Sequence, residues 1–306
     1  MSSINTNVAA MTALQTLTQT NKSLTETQNR ISTGLRVSDA SDNAAYWSIA
    51  TTMRSDHAAL STVQDALGLG AATVDVAYTG LQKAIDIVDQ IRTKLVAASQ
   101  PGLDRAKIQT EIGELQKELT SIGQSASFSG ENWLSTDSSA TGYAATKKVV
   151  ASFSRSGSTV SIGTIDIDTS KTKLFDASAT AVGILDGTRD ATGAIAATGF
   201  SVSGLSISAT TTDADLTSYI AGAEAAMKEM TDAATTLGAA KARVGVQQDF
   251  VKSLSDAISR GIGQLVDADM NEESTKLQAL QVKQQLGVQA LSISNSSTQT
   301  ILSLFR

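Results

Sequence analysis

The chain has 306 residues, with 24 basic and 30 acidic side chains for a formal charge of −6, and no cysteine. Its charges are dispersed with no basic stripe to neutralise a run of phosphates, which argues against nucleic acid as a partner. The single histidine, His57, and the missing thiols leave no two-histidine zinc motif, no thiolate metal site and no evident Ser-His-Asp triad, so neither an enzyme nor a cofactor is expected.

Aromatic content of 4% beside abundant Ala, Leu, Ile and Val suits thin helix-on-helix packing. No apolar stretch approaches the roughly 18–20 residues that span a bilayer, so membrane insertion is not expected. The first seven residues lack the basic segment and apolar core of a secretory signal peptide.

In chain order, residues from about 5 to 35 form an amphipathic helix. Ala10, Leu17, Leu24 and Ile31 recur every seven places, with Leu14, Asn21, Gln28 and Leu35 four beyond them. Asn21 and Gln28 at seam-type positions lower stability but specify register or partner. Gly34 and Ser38–Asp42 end this helix and offer caps for the next.

A heptad ladder follows: Tyr46, Met53, Leu60, Leu67, Val74, Leu81, Val88 and Leu95. A second, in the other half, runs Leu216, Ala223, Met230, Leu237, Val244, Val251, Ile258 and Leu265. Such periodicity keeps one stripe of a helix facing a partner helix. Each ladder of about 50 residues implies a helix of roughly 75 Å, and matched lengths imply a chain that goes out and returns along itself.

Between the ladders, Gln100-Pro101-Gly102 reads as a reversal. A third helix then carries Ile108, Leu115 and Ile122 beside Ile112, Leu119 and Ala126. From about 127 to 212, Ser, Thr, Gly and Asp become frequent and apolar residues alternate. Val149, Ala151 and Phe153 with Val160 and Ile162 flank Ser156-Gly157 as one hairpin; Phe200 and Val202 with Leu205 and Ile207 flank Ser203-Gly204 as a second. This region reads as a small exposed module.

The last helix, from about 270, has two apolar stripes. One is Ala279, Val282, Leu286, Ala290, Ile293, Ile301 and Leu304; the other is Leu277, Leu280 and Leu291. Two stripes require more than one neighbour, and end helices left with apolar surface point to self-assembly through head-to-tail contacts that do not close.

The domains expected are a terminal coiled-coil helix and linker (1–43), rod helices (44–135), a variable outer module (136–212), a returning rod helix (213–265) and a terminal coiled-coil helix (266–306). The fold class is mainly α: an elongated multi-helix rod with a small β-rich insertion. The assembly interface is assigned to Leu14, Leu17, Leu24, Ile31, Leu35, Val282, Leu286, Ile293, Ile301 and Leu304. The rod core is assigned to Met53, Leu60, Leu67, Val74, Leu81, Val88, Leu95, Met230, Leu237, Val244, Val251 and Ile258.

Other candidates fall away. Asp267-Ala268-Asp269 opens like a calcium loop but has Glu272 where Gly is needed and Gln278 in place of the bidentate Glu. Asp166, Asp168 and Ser170 fail likewise, with Lys171 in the glycine place. Gly68-Leu69-Gly70 and Gly261-Ile262-Gly263 lack the rest of a phosphate loop and read as sites of close helix contact or bending.

Two sets of residues carry a family resemblance. Ile4-Asn5-Thr6-Asn7 and Arg30-Ile31-Ser32-Thr33-Gly34-Leu35-Arg36-Val37, continuing through Ala40, Asp42, Ala44-Ala45 and Ile49-Ala50, resemble the N-terminal signature of bacterial flagellins. Asp267-Ala268-Asp269, Gln284-Gln285, Gln289-Ala290-Leu291, Asn295 and Leu302-Ser303-Leu304-Phe305-Arg306 resemble the C-terminal one. Tyr46-Trp47 is similar to the short flagellins of alphaproteobacteria.

The resemblance implies a subunit of the extracellular flagellar filament, the propeller for swimming, exported unfolded by a type III apparatus without a cleaved signal. It implies a homopolymer with the same or sister subunits, and an export chaperone, a filament cap and hook-junction proteins as partners. Relatives sensed by an animal innate immune receptor have Arg where Ile91 stands, although Leu95 and Glu111 match, so recognition is expected to be weak. The alternatives are a hook–filament junction protein, present in few copies, and a cytosolic coiled-coil adaptor.

Overall fold

The computed structural model describes residues 7–157, 159–178 and 183–303, with 297–303 described by their backbone alone. It is mainly α. In chain order come α1 (Val8–Thr33), α2 (Ala44–Ala98), α3 (Arg105–Ser125), β1 (Ser127–Phe128), β2 (Glu131–Asn132), β3 (Ser135–Thr136), β4 (Thr146–Ser156), β5 (Thr159–Asp168), β6 (Phe175–Asp176), α4 (Asp213–Val266) and α5 (Met270–Ser303). Two compact units emerge, one of residues 1–58 with 255–306, the other of residues 59–254. The division falls within the two ladder helices rather than at their ends.

In the 59–254 unit the ladders are the core. Leu60, Leu67, Val74, Leu81, Val88 and Leu95 are buried on α2, and Leu216, Ala223, Met230, Leu237, Val244 and Val251 on α4. The helices run antiparallel: Lys241 pairs with Asp75 and lies 5.5 Å over the Tyr78 ring, and Gly238 faces the same ring. Met53 and Ile258, at the ladder ends in the other unit, are only half-buried. Truncating a fully enclosed rung leaves a cavity, so Leu81→Ala should cost about 2–5 kcal/mol, read as a lower urea midpoint.

The reversal at Pro101-Gly102 closes as expected, with Gly102 at φ +91°. Asp104 caps α3 by accepting from the Ala106 N–H at 3.0 Å. Arg105 then holds the loop, donating to the Ala98 carbonyl and pairing with Asp213 at 2.6 Å. Ile108, Ile112, Leu119 and Ala126 are buried, whereas Leu115 and Ile122 are half-buried.

The first expected hairpin exists as β4–β5, antiparallel, with Phe153 opposite Ile162. Its base is buried at Val149, Ile165 and Ile167, and Val149 lies where a Cβ on Gly70 of α2 would collide with it. On the unbroken strand β5, Ile162 and Val160 alternate with the buried Ile165 and Ile167 and so lie on the opposite, exposed side; a bulge in β4 between Val150 and Ser152 carries Phe153 from the Val149 face onto that of Ile162.

The second expected hairpin is not formed. Ser203-Gly204 is a turn, but the segments that flank it do not pair with each other: Phe200 bridges instead to Arg189, and the Ser203 N–H donates to the Leu185 carbonyl. From Val202 to Ile207, α3 side chains supply further partners: Gln116 Nε2 donates to the carbonyls of Val202 and Leu205 at 3.1 and 3.0 Å, and Gln109 Oε1 accepts from the Ile207 N–H at 2.7 Å. Val202, Leu205 and Ile207 are buried as a result. Alternation correctly marked the inward residues, but a helix takes the place of the second strand.

A fully buried guanidinium organises the loop before this turn. Arg189 donates to the carbonyls of Ile184 and Gly193 at 2.8 and 2.9 Å and makes a two-pronged contact with Glu229 of α4, at 2.6 and 3.1 Å. Nearby, Lys173 and Asp176 form a buried ion pair at 2.6 Å.

Burial pushes the Asp176 carboxyl up, but hydrogen bonds from Lys173 and the Ser138 N–H outweigh it and hold Asp176 well below the usual carboxylate range. Asp186, which accepts from the Asp176 N–H, is instead raised by burial and, secondarily, by the Asp176 charge. The signs oppose. Asp176 contributes stability above the ordinary carboxylate pKa that is lost as pH falls through its depressed value; ionised Asp186 costs stability that acid relieves. Asp186→Asn should therefore leave the fold as stable or more stable at pH 7, with the advantage vanishing below about pH 4. Urea midpoints across that range check it.

Candidate assembly surfaces

The other unit is built on capped helices. Asn7 Oδ1 accepts from the Ala10 N–H at the start of α1, and Gly34, at φ +71°, ends it by donating to the Arg30 carbonyl. Such a left-handed position suits glycine. The chain then clasps the end of α4: the Arg36 N–H donates to the Val266 carbonyl at 2.7 Å and the Ala268 N–H to the Gly34 carbonyl at 2.9 Å. Val37, Ala50 and Val266 form a small core there, with Leu35, Ile262 and Leu265 packed against it. Asp269 caps α5, accepting from the Asn271 N–H at 2.9 Å, so the acidic run serves a helix start rather than a calcium loop.

Helices α1 and α5 pair antiparallel. Asn7 Nδ2 donates to the Ser294 carbonyl, Gln284 Nε2 to Asn21 Oδ1, and Arg30 Nη1 to Glu273 Oε1. Leu17 sits against Gly287, where a Cβ would come within 3.1 Å. The inward residues of α1 are Ala10, Ala13, Leu17, Thr20, Leu24, Thr27 and Ile31, with Thr20 and Thr27 the most buried.

This corrects the expected second row of α1. Leu14, Asn21 and Gln28 are exposed, because the row that completes the seam stands three places beyond the leucines and consists of Thr20, Thr27 and Ala13. Threonine supplies a methyl to the seam and donates its hydroxyl back to the helix, as Thr20 does to the Thr16 carbonyl.

On α5, Leu277, Leu280, Gln284, Gly287, Leu291 and Ser294 face inward with Glu273. The residues assigned to assembly therefore separate. Leu17, Leu24 and Ile31 lie in the seam and Leu35 in the clasp. Leu14, Val282, Leu286 and Ile293 stay more than half exposed, together with Val8 and Met11. The side chain of Ile301 and the whole of Leu304 lie outside the described residues.

His57 is half-buried on α2. Among the described residues no three His, Cys, Asp or Glu side chains gather to hold a metal, and no helix is long and apolar enough to cross a membrane.

Two family models match the chain: the bacterial flagellin N-terminal helical region over residues 4–139 and the bacterial flagellin C-terminal helical region over residues 220–305. The chain belongs to the bacterial flagellin family. It is 50% identical to Flagellin C of Rhizobium meliloti (strain 1021) and 48% identical to the Flagellin of Brucella melitensis biotype 1, with the whole of each chain covered. Flagellin A of Rhizobium meliloti is 42% identical over a 397-residue alignment that also covers both chains. The extra length lies in that flagellin.

As a flagellin, the chain is a structural subunit of the flagellar filament, and its relatives are structural proteins rather than enzymes. The flagellin models match α1 to α3 and nearly all of α4 and α5. Between them, residues 140–219 hold β4 to β6 and the Arg189 loop.

Proposed function

We propose that this flagellin joins its neighbours through the apolar stripes of α1 and α5 and so builds a helical propeller for swimming. The observation that carries this reading is the double character of α5. Its Leu277–Leu291 face is covered by α1, while Val282, Leu286 and Ile293 remain 55–68% exposed. Val8, Met11 and Leu14 on α1 are 54–69% exposed. An apolar row left open on a subunit that polymerises is where a second subunit gains most by burial.

The further partners proposed are those that the family resemblance implies: an export chaperone for the α5 region, a distal cap, and junction proteins at the hook. The export route proposed with these partners is the type III one, in an unfolded state.

The test is a paired charge substitution, Leu286→Asp with Ile293→Asp. Both positions point away from α1, so the helix pair should persist by circular dichroism. Burying uncompensated charge at a subunit contact costs about 3–5 kcal/mol, which at about 1.4 kcal/mol per tenfold raises the critical concentration at least ~100-fold. Filaments of ordinary length from this variant would sink the proposal.

Innate immune recognition should be weak. Ile91 is fully buried, leaving no cation at that place, while Glu111 is exposed and paired with Lys94 at 2.5 Å. A receptor-reporter assay giving full signal at ordinary concentrations would contradict this.

A further inference from the structure

We infer that the start of α2, from Ala44 to Ile49, is a further subunit contact, covered in the filament by a second copy of this chain. It is separate from the stripes of α1 and α5 and needs only that the flagellin polymerises.

Asn43 begins this helix, its Oδ1 accepting from the Tyr46 N–H at 3.1 Å. Successive helical residues are about 100° apart around the axis, so the run from Ala44 to Ile49 samples every side of it. Every residue of that run is exposed, and Ala50 is the first to be buried. Tyr46, Trp47 and Ile49 are 42%, 36% and 49% exposed. Trp47 and Ile49 stand about 200° apart, so the apolar surface wraps the helix instead of keeping to one face.

Charge is missing from the same stretch. No acidic or basic residue stands between Asp42 and Arg54, the widest such gap in α2, α3 or α4. A surface helix keeps a charged or polar face toward water, whereas one that is apolar on all sides is normally buried. Tryptophan and tyrosine are also the side chains that gain most at the centre of a protein contact. The start of α2 therefore has the composition of an interior helix and the exposure of a surface one.

The kind of partner follows from the same facts. An uncharged apolar surface needs an uncharged cover, since a charge set against it would lose its water without compensation. A flagellin meets further copies of itself in the filament, and this chain carries such surface. Helix α1 has no charge before Lys22, and α5 has none after Lys283. Val8, Met11 and Leu14 in the first stretch, with Leu286 and Ile293 in the second, are exposed. The start of α2 belongs to the same compact unit as these stripes, so that unit presents both the patch and surfaces suited to cover it on a neighbour.

The test uses the full chain with the photoreactive residue p-benzoylphenylalanine at position 47 or at position 49. Irradiated filaments should give covalent dimers on denaturing gels from both positions, and unpolymerised protein should give none. A second variant, Ile49→Glu, should keep the helical circular dichroism and melting temperature of the parent, because glutamate suits a helix and stands near its N-terminus. Its critical concentration should nevertheless rise about tenfold or more, as the contact would bury an unpaired charge. Filaments that yield no dimers from either position overturn the inference, and so does Ile49→Glu assembling at the parent's concentration. Dimers through positions 47 and 49 in filaments of the Leu286→Asp, Ile293→Asp chain would leave this contact standing and overturn only the role given to the stripes.

Discussion

Chains lacking residues 1–35 or 270–306 are expected to keep a folded 59–254 unit and to form no filaments. The unit retains its own core, since Leu67, Val74, Leu81, Leu95, Met230, Leu237 and Val244 are enclosed by residues inside it. Each deletion removes one member of the α1–α5 pair and bares the seam of the other, leaving Leu17 and Leu24, or Leu277, Leu280 and Leu291, without a partner. Loss of both the seam and an apolar stripe should drop assembly below detection at protein concentrations where the whole chain polymerises. Sedimentation and electron micrographs read the assembly, and a cooperative urea transition reads the surviving unit. Filaments resembling those of the whole chain would remove α1 and α5 from the interface.

Arg189→Met should be the most damaging single substitution in the 140–219 region, costing about 3–5 kcal/mol, the range for removing one member of a buried ion pair. The guanidinium is fully enclosed and satisfies two loop carbonyls and both oxygens of Glu229. A methionine fills much of the volume but leaves the carbonyls of Ile184 and Gly193 without donors. Glu229 is 41% exposed and can recover water, which places the expected loss toward the lower end, ~3 kcal/mol. Limited proteolysis should show the 183–207 segment opening before the helices do. Glu229→Gln, which keeps one acceptor, should cost less. A Met variant within about 1 kcal/mol of the parent, with unchanged proteolysis, would show that the clamp does not hold the loop.

Legibility from sequence followed the kind of force at work. The ladders were readable because burial along a long helix pair imposes one period on many residues, and Leu60 to Leu95 obey it without exception. The β4–β5 hairpin was readable from alternation around Ser156-Gly157, although the bulge at its middle was not. The stretch around Ser203-Gly204 looked the same, yet Gln109 and Gln116 of α3 satisfy the backbone that a strand would have paired. Arg189 gave no signal, because a buried arginine differs from a surface one only by partners distant in the chain.

The same contrast holds for the two end helices. By itself the sequence determined that both are amphipathic, that α5 carries two apolar stripes, and that the ends bear flagellin signatures. Which stripe meets the chain itself and which is left for another molecule was decided only in the tertiary structure. The two stripes of α5 are comparable in hydrophobicity, so composition cannot rank them. The choice comes from small and polar residues that must find particular partners: Thr20 and Thr27 turned inward, Gly287 making room for Leu17, and Glu273 placed where Arg30 can reach it.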